Sequence, residues 1–512
     1  MEREVGIYFK TFLGKLSCID FRMYIKGDKM KDNSLKKKTI EGFIWRFAER
    51  CGAQVVQFVV SIVLARILSP SDYGTLALIA VFTNILGVFV QSGMGAALVQ
   101  KKDADDLDYS TLFYFNVVMC LSLYLLMFFV APFIAKFYTK PELTIYTRVV
   151  SLTLIVSGVR GIQSAYVSKN MLFKRFFFST LGGTILSAIV GITMAYKGFG
   201  VWALIAQELT NVTVDTIILW LTVKWRPKKM FSFTRLKGLF SYGWKLLASG
   251  LLDTGYLQLR NLLIGKVYSS SDLAYYSKAQ SFPQLFVANV NSSIDSVLLP
   301  SMASVQESKE TVKGMTRRAL KTSTFIMAPL LMGLAACGKS IISILLTDKW
   351  LPSYPFMIVF CISNLFLPIS TANLNAIKAL GRSDVFFKLE IIKKTIGVLI
   401  IIATFRISVM AIALGGILST IFNQFINTWP NKKLMNYSYR EQIQDILPSL
   451  LLSMIMFVVV YSINLLSLNN WITLIIQVPL GAIIYIGLAI IFKFEAFTYC
   501  LDLVKAFFKN KR

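Results

Sequence analysis

Two long apolar stretches of this sequence carry ionic and polar side chains at helical spacing. At about 100° per residue, five residues of the stretch 238–266 share an arc of about 80° on one helix face: Lys245, Ser249, Asp253, Tyr256 and Arg260. The stretch 273–299 places four more within about 60°: Gln280, Gln284, Asn291 and Asp295. Charged groups in lipid cost a few kcal/mol or more each, so these residues are candidates for function.

Four other apolar stretches carry similar residues. They are Arg46, Arg50, Gln54 and Gln57 in 40–67; Asn84 and Gln91 in 73–99; Arg148, Arg160 and Gln163 in 143–168; and Glu208, Asn211 and Asp215 in 200–223. Such side chains are satisfied by facing one another or a water-filled cavity. We expect a wet cavity between two halves of the protein, walled by the stretches 40–67, 73–99, 238–266 and 273–299.

The excess of arginine and lysine in these stretches suits an anionic cargo, and phosphate is the anion that guanidinium groups match best. A structural role remains the alternative for any single residue. Asp253 would then pair with a neighbouring cation, and Arg46 and Arg50 would lie near the cytoplasmic interface.

The composition is that of a polytopic membrane protein. Of 512 residues, 55% are hydrophobic and 16% are charged, and the mean hydropathy is +0.62, whereas soluble proteins carry about 25% charged residues. The net charge of +27 lies in short loops that meet anionic lipid, so we expect no nucleic-acid partner. The sequence has no histidine and no nucleotide-binding or hydrolase motif. We therefore predict that the chain is not an enzyme and holds no metal or cofactor.

Apolar runs and helix breakers predict an all-α protein with about fourteen transmembrane spans. Their approximate positions are 40–67, 73–99, 110–138, 143–168, 175–197, 200–223, 238–266, 273–299, 317–346, 354–378, 385–405, 407–429, 446–466 and 471–492. The loops after even-numbered spans hold most of the loop lysines and arginines, so both termini are expected in the cytoplasm.

Two copies of one short sequence predict an internal duplication. LARILSPSDYGTLALI begins at Leu64 and IGKVYSSSDLAYYSKA at Ile264, each across the turn after a span. Because these two spans cross in the same direction, we expect two pseudo-symmetric six-helix lobes plus two C-terminal helices. The alternative is that S-x-S-D is only a favourable helix cap after a snorkelling cation. The predicted divisions are a basic cytoplasmic extension 1–35, an N-lobe 36–225, a C-lobe 226–431, and a C-terminal helix pair with a basic tail 432–512.

Several segments, in order along residues 34 to 460, resemble one transporter family. They include SLKKKTIEGFIWRFAER, LARILSPSDYGTLALI, GFGVWALIAQ, KWRPKKMFSF, SDLAYYSKAQSFPQL, KWLPSYP and LNAIKALGRSDVFFKLEIIKK. They look like the bacterial polysaccharide exporters of the Wzx type, closest to the subgroup associated with teichuronic acid and colanic acid export. The resemblance implies membership of the multidrug/oligosaccharidyl-lipid/polysaccharide (MOP) superfamily, with two lobes in a V as in MATE transporters.

The resemblance also implies a cargo and a mechanism. The cargo would be an oligosaccharide repeat unit on undecaprenyl diphosphate, flipped across the bacterial cytoplasmic membrane by alternating access for cell-surface polysaccharide biosynthesis. The implied partners are this lipid-linked oligosaccharide, the bilayer, and a polysaccharide polymerase with its assembly proteins. An ion gradient, of protons or sodium, would drive turnover.

Position and charge nominate the site residues within this scheme. The candidate diphosphate ligands are Arg46, Arg50, Arg148, Arg160, Lys245, Arg260 and Lys278. The candidate polar cavity residues are Gln54, Gln57, Asn84, Gln91, Gln280, Gln284 and Asn291. The candidates for ion coupling are Glu208, Asp215, Asp253 and Asp295.

Three other functions compete with the flippase. A MATE-like exporter of drugs or small molecules would use the same scaffold, but the excess of arginine and lysine argues against cationic drugs. A membrane polymerase would show a large outer loop, and a membrane acyltransferase an intramembrane histidine; the sequence has neither. A scaffold subunit would leave the stripes of intramembrane charge unexplained.

Overall fold

The computed structural model describes residues 33–91 and 94–509, and every regular element in these ranges is a helix. Most of the extension predicted at 1–35, and the end of the basic tail at 510–512, lie outside the described residues. The chain forms two compact units, one up to Gln258 and one from Leu259 onward. The lobe boundaries expected at 225/226 and 431/432 stay predictions.

The N-terminal unit contains eight helices and most of a ninth. They are α1 Asn33–Ile67, α2 Pro70–Gln91, α3 Met94–Gln100, α4 Asp106–Tyr138, α5 Leu143–Val150, α6 Leu152–Lys169, α7 Phe173–Tyr196, α8 Val201–Thr222 and α9 Phe233–Val267. Buried apolar side chains of α1, α7 and α8 form one core, including Leu64, Ala188 and Ala203. A second core joins α3, α4, α6 and α8 through Leu98, Leu112, Ile162 and Leu219.

The C-terminal unit contains the end of α9 and the remaining helices. These are α10 Ser270–Ala303, α11 Lys309–Leu346, α12 Tyr354–Asn364, α13 Leu367–Ala379, α14 Ser383–Thr404, α15 Val409–Met435, α16 Tyr439–Ser462, α17 Asn470–Ile491 and α18 Glu495–Lys509. Two 3₁₀ segments, Asp348–Ser353 and Ile463–Leu466, precede α12 and follow α16. The core of the C-terminal unit lies between α10, α11, α13, α15 and α16, and includes Met302, Leu320 and Ile369.

The described residues contain eleven helical spans that are long and apolar enough to cross a membrane. This confirms the prediction of an all-α, multi-pass membrane protein. Each of the fourteen predicted spans coincides with a helix or a broken helix, but α9, α10 and α14 are not among the eleven. They carry several charged or polar residues where the other spans are apolar, so the count of fourteen stays a prediction.

The repeated phrase builds the same turn twice. At the start of α2, the Asp72 carboxylate accepts from the Ser69 backbone N–H (2.9 Å), and Ser69 Oγ accepts from the Asp72 N–H (3.2 Å). At the start of α10, Ser269 and Asp272 make the same two hydrogen bonds, both at 3.1 Å. Each pair satisfies N–H groups that a helix start leaves unpaired. The predicted capping role of the two phrases is confirmed.

Within each unit, ion pairs join two helices that hold the same places in the chain order. The helix that carries the acid in one unit corresponds to the helix that carries the base in the other. In the N-terminal unit the acids lie on α4, where Asp108 is fully buried and pairs with Lys101 at 2.6 Å, and Arg235 of α9 lies 3.8 Å from it. In the C-terminal unit the bases lie on α11, and Arg317 binds Asp445 of α16 at 2.8 Å. Ion pairs therefore hold α9, which follows the sixth predicted span, and α16, which follows the twelfth. The acid lies on the earlier helix of the pair in the first case and on the later helix in the second.

The last helix, α18, is fixed to α11 at its start. Lys321 donates to Glu495 at 2.6 Å, and this hydrogen bond lowers the pKa of the Glu495 carboxyl. Phe325 packs its ring against Phe494 and Phe497 at 6.4 and 6.2 Å between centroids. The helix thus continues the C-terminal unit, although the sequence analysis assigned it to a basic tail.

Removing the Asp445 carboxylate tests the ion pair that links α11 to α16. Asp445 also accepts from the fully buried Tyr437 hydroxyl at 2.7 Å. Asp445→Ala leaves that hydroxyl and Arg317 without their acceptor. Because Arg317 is half exposed, we expect a loss of about 2 kcal/mol in the free energy of unfolding, less than a fully buried pair would cost.

The measurement is the thermal unfolding midpoint of the purified protein in detergent. Asp384→Ala is the matched control, because Asp384 binds Arg382 at 2.9 Å but is exposed, and exposed pairs contribute about 0–1 kcal/mol. Equal midpoints for the two variants would contradict the role given to Asp445.

Candidate functional site

The N-terminal unit contains a cavity of about 890 Å³. It is walled by α1, α2, α3, α4, α6, α7 and α8, and four charged side chains line it: Arg46, Glu49, Arg160 and Glu208. Polar side chains between them include Thr83, Asn84, Asn116, Thr153, Ser157 and Ser164. A cavity of this size and polarity within a membrane-spanning unit can hold water or a polar part of a ligand.

Arg160 and Asp215 form an ion pair at the wall of this cavity. Arg160 Nη2 lies 2.6 Å from Asp215 Oδ2; the Arg160 side chain is 32% exposed and that of Asp215 4%. The neighbouring helix allows this position because residue 183 is glycine. A Cβ there would lie 2.9 Å from the Asn211 carbonyl oxygen and 3.2 Å from Asp215 Cβ. Close packing of α7 on α8 therefore buries the carboxylate and leaves the arginine facing the cavity.

A second arginine pair lies on α1. Arg46 Nη1 is 2.6 Å from Glu49 Oε2, and the Thr180 hydroxyl donates to Glu49 Oε1 at 3.2 Å. The guanidinium also lies over the Phe176 ring, 4.9 Å from its centroid. Glu49 is not among the residues predicted from the sequence, although the Arg-x-x-Glu spacing is one at which helical side chains pair.

Glu208 is the remaining charge in the cavity wall. It lies two turns before Asp215 on α8 and is exposed to the cavity. Within the described ranges no cation or hydrogen-bond donor contacts its carboxylate. Counting Asp215 behind Arg160, three carboxylates face two arginines in this cavity.

The other candidates of the N-terminal unit lie at varied positions. Arg50 and Gln57 are exposed and outside the cavity wall, while Gln54 is half-buried. Arg148 donates to the Phe128 carbonyl at 3.2 Å and covers its ring at 4.0 Å, also away from the cavity. Asn84 lines the cavity. The side chain of Gln91 lies outside the part of the chain that the structure describes.

The candidates on α9 and α10 do not line this cavity. Lys245 and Asp253 are exposed and Arg260 is half-buried on α9. On α10, Gln280, Gln284 and Asp295 are exposed and Asn291 is half-buried, while Lys278 Nζ lies 5.7 Å from the centre of the Trp350 ring. The cavity predicted between the two halves stays a prediction.

The C-terminal unit has a neutral polar core where the N-terminal unit has ion pairs. Asn373 of α13 donates to Gln442 of α16 (2.9 Å) and accepts from Asn431 of α15 (2.6 Å), and all three are buried. The adjacent cavity of about 210 Å³ is lined by Gln424, Thr428, Tyr439, Gln442 and apolar side chains. By chain order α13 and α15 correspond to α6 and α8, which carry Arg160 and Asp215. Only amides with no charge mark this core, which is why the sequence analysis missed it.

Comparison with known proteins agrees with this architecture. The sequence model of a family described as "Polysaccharide biosynthesis protein" matches residues 63–355. The chain is 23% identical to teichuronic acid biosynthesis protein TuaB of Bacillus subtilis over 89% of this chain and 96% of TuaB. It is 23% identical to the succinoglycan biosynthesis transport protein ExoT of Rhizobium meliloti, over 67% and 69% of the two chains. Lipopolysaccharide biosynthesis protein WzxC of Escherichia coli is 22% identical, over 84% and 89%.

Solved structures share the fold at low identity. The lipid II flippase MurJ in its inward closed conformation matches with a TM-score of 0.72 at 16% identity, over 88% of this chain and 98% of MurJ. An inward-facing MATE multidrug transporter of the MOP superfamily matches with a TM-score of 0.58 at 11% identity, over 75% and 96%. The predicted MOP-type fold is confirmed. The family match covers more than half of the chain, so this protein belongs to the polysaccharide biosynthesis protein family whose members resemble Wzx exporters.

Proposed function

We propose that the protein flips a polyprenyl-diphosphate-linked oligosaccharide, with undecaprenyl diphosphate as the lipid, across the cytoplasmic membrane. The observation that carries the proposal is a membrane-embedded cavity with two arginines in its wall, Arg46 and Arg160. Guanidinium groups bind phosphate oxygens with two parallel hydrogen bonds, and polar side chains around them suit sugar hydroxyls. The protein acts as a transporter, with no catalysis and no cofactor.

The names of similar proteins support this function. ExoT is named a succinoglycan biosynthesis transport protein, MurJ a lipid II flippase, TuaB a teichuronic acid biosynthesis protein and WzxC a lipopolysaccharide biosynthesis protein. The mechanism would be alternating access of an N-lobe 36–225 and a C-lobe 226–431. A proton or sodium gradient would drive it, with Glu208, Asp215, Asp253 and Asp295 as the coupling candidates. A polysaccharide polymerase and its assembly proteins would receive the product.

One observation favours a second candidate, the export of small cations. The cavity lining holds as many acids as arginines, and the Glu208 carboxylate has no cationic partner among the described residues. A drug exporter of the MATE type would use such an acid to hold its cargo. Both candidates share the fold, so transport itself must discriminate between them.

Reconstitution of the full chain into vesicles separates the two functions. The flippase proposal expects a lipid-diphosphate oligosaccharide, loaded in one leaflet, to become accessible to a membrane-impermeant glycosidase or lectin in the other. The rate should exceed that of empty vesicles and rise with a proton or sodium gradient. Transport of a cationic dye without transport of the lipid would favour the second candidate.

Arg160→Gln tests the proposed diphosphate ligand. Losing a charge-assisted contact to phosphate should slow flipping about 10- to 100-fold. Arg148→Gln is the matched control, because its guanidinium contacts Phe128 outside the cavity, and it should flip at the rate of the unmodified protein. Size-exclusion profiles confirm that both variants are folded. Equal rates for the two would remove Arg160 from the list of ligands.

Glu208→Gln tests ion coupling. An amide of the same shape cannot bind or release a proton, so the response of flipping to the ion gradient should weaken, while the basal rate remains. Glu142→Gln, at an exposed position outside the cavity, should keep the full response. A normal gradient response in Glu208→Gln would show that coupling uses another group.

The orientation of the chain is also part of the proposal. With both termini in the cytoplasm, the turn at residues 197–200 lies outside and the segment 223–232 inside. Alkaline phosphatase fused after Gly198 should be active, whereas phosphatase fused after Lys229 should be inactive and a fluorescent protein fused there should fluoresce. The opposite pattern would reverse the orientation.

A further inference from the structure

We propose that Asp215 binds Arg160, and Glu49 binds Arg46, when no cargo is present. The cargo phosphates displace these carboxylates from the arginines when the cargo binds, and the carboxylates then take up protons. The inference rests on the proposed function, because it takes a diphosphate lipid as the cargo. It adds a specific coupling device: the carboxylates that compete with phosphate for Arg160 and Arg46. Binding of cargo and binding of protons would then strengthen each other.

The Arg160–Asp215 pair is incomplete in a way that suits exchange. Its contact is a single one, from Nη2 to Oδ2 at 2.6 Å, although the two groups can form two parallel bonds. Arg160 Nε and Asp215 Oδ1 are both buried and find no hydrogen-bond partner among the described residues. The pairing therefore leaves one arginine donor and one carboxylate oxygen unsatisfied, so it lacks part of the stabilisation that two parallel bonds would give.

The second pair has the same arrangement. Arg46 contacts Glu49 at 2.6 Å, and the arginine side chain is 39% exposed while the glutamate is 10% exposed. In both pairs the arginine is the more accessible member and lines the cavity. Asp215 lies behind its arginine, whereas Glu49 lines the cavity beside Arg46. Arg46 on α1 and Arg160 on α6 thus line the same cavity, and each is paired with a carboxylate.

Displacement of the carboxylate requires a proton. If phosphate takes Arg160, the buried Asp215 loses its counter-charge, and an unpaired buried charge is strongly unfavourable. A hydronium ion or buffer acid that reaches the site through the cavity gives its proton to the carboxylate: one O–H bond forms on Asp215 as the donor's bond to the proton breaks, and the conjugate base stays in solution. The proton is released when the cargo leaves and the ion pair forms again.

No other described cation competes for Asp215 from the helices packed against α8. On α7, Ser179 lies beside the carboxylate but donates its hydroxyl to the Phe176 carbonyl at 3.2 Å. The remaining charges on α2, α5, α6 and α7 have other contacts: Asp72 caps α2, Arg148 binds the Phe128 carbonyl, Lys169 and Arg175 bind the carbonyls of Lys101 and Thr222, and Lys174 lies over the Trp45 ring. Glu208, on α8 itself, is an acid that lines the cavity, as is Glu49 of α1.

For Glu49, the packed neighbour is α7, and Thr180 of that helix donates to it. The charges of α7, Lys174 and Arg175, make the contacts given above. Arg46 is thus the cation that the structure pairs with Glu49. Each acid has one arginine, and each arginine one acid.

The test is the pH dependence of cargo binding to the purified full chain. The probe is a short polyprenyl-diphosphate N-acetylglucosamine, a diphosphodiester that stays fully ionised between about pH 5.5 and 8.5, so that only the protein titrates. We expect the Kd of the unmodified protein to rise with pH, by up to about tenfold per unit for one linked proton. Asp215→Asn should bind more tightly at high pH and show a flatter profile, and Glu49→Gln should flatten the remaining slope. Asp108→Asn, which removes a buried, ion-paired acid outside the cavity, should keep the original slope.

Proton uptake gives a second readout that needs no variant. In weak buffer with a pH-sensitive dye, the unmodified protein should take up protons as the probe binds. Binding without proton uptake and with a pH-independent Kd would overturn the inference and leave the flippase proposal standing. A protein that does not bind the probe at any pH would overturn both. A slope unchanged in folded Asp215→Asn and Glu49→Gln would likewise remove these two acids from the coupling.

Discussion

The proposed site depends on opposite charges held next to each other within a membrane-spanning unit. Arg160 and Asp215 can remain charged there because each neutralises the other at 2.6 Å, and an isolated partner would be strongly unfavourable. The surrounding packing serves that contact. Gly183 lets α7 approach α8 closely enough to bury Asp215, and the cavity keeps the arginine accessible. Function is proposed to arise from exchanging this internal partner for an external one.

The two units share helix caps and ion pairs at the ends of their helices, but they place different polar groups between the helices. Both start their first hairpin with the same serine–aspartate cap, and both fix the helix after their sixth span through ion pairs to an earlier helix. Beside its cavity the N-terminal unit pairs Arg160 with Asp215, whereas the C-terminal unit places amides such as Asn373 and Gln442 on helices at the corresponding places in the chain order. The two units therefore share these contacts at their helix ends and differ in the polar groups that lie between the helices.

Sequence patterns predicted the helices well because apolar length and turn residues report directly on membrane spans and their ends. The capping turns at Ser69 and Ser269 could be identified from residue type alone. Pairing could not, since a helix face shows which residues share a side and not what faces them. Arg148 and Arg160 looked equivalent in sequence, yet one contacts a backbone carbonyl and the other a carboxylate. Glu49 and the amides of the C-terminal unit were not predicted from the sequence, because they do not belong to a row of charged side chains on one helix face.

A double-mutant cycle on Arg160 and Asp215 tests the central claim most directly, namely that these two charges depend on each other. Unfolding midpoints would be measured for Arg160→Gln, Asp215→Asn and the double variant. The account predicts that each single variant is destabilised and that the double variant is more stable than the sum of the two losses, with a coupling of about 1–3 kcal/mol. Additive losses, within about 0.5 kcal/mol, would contradict it.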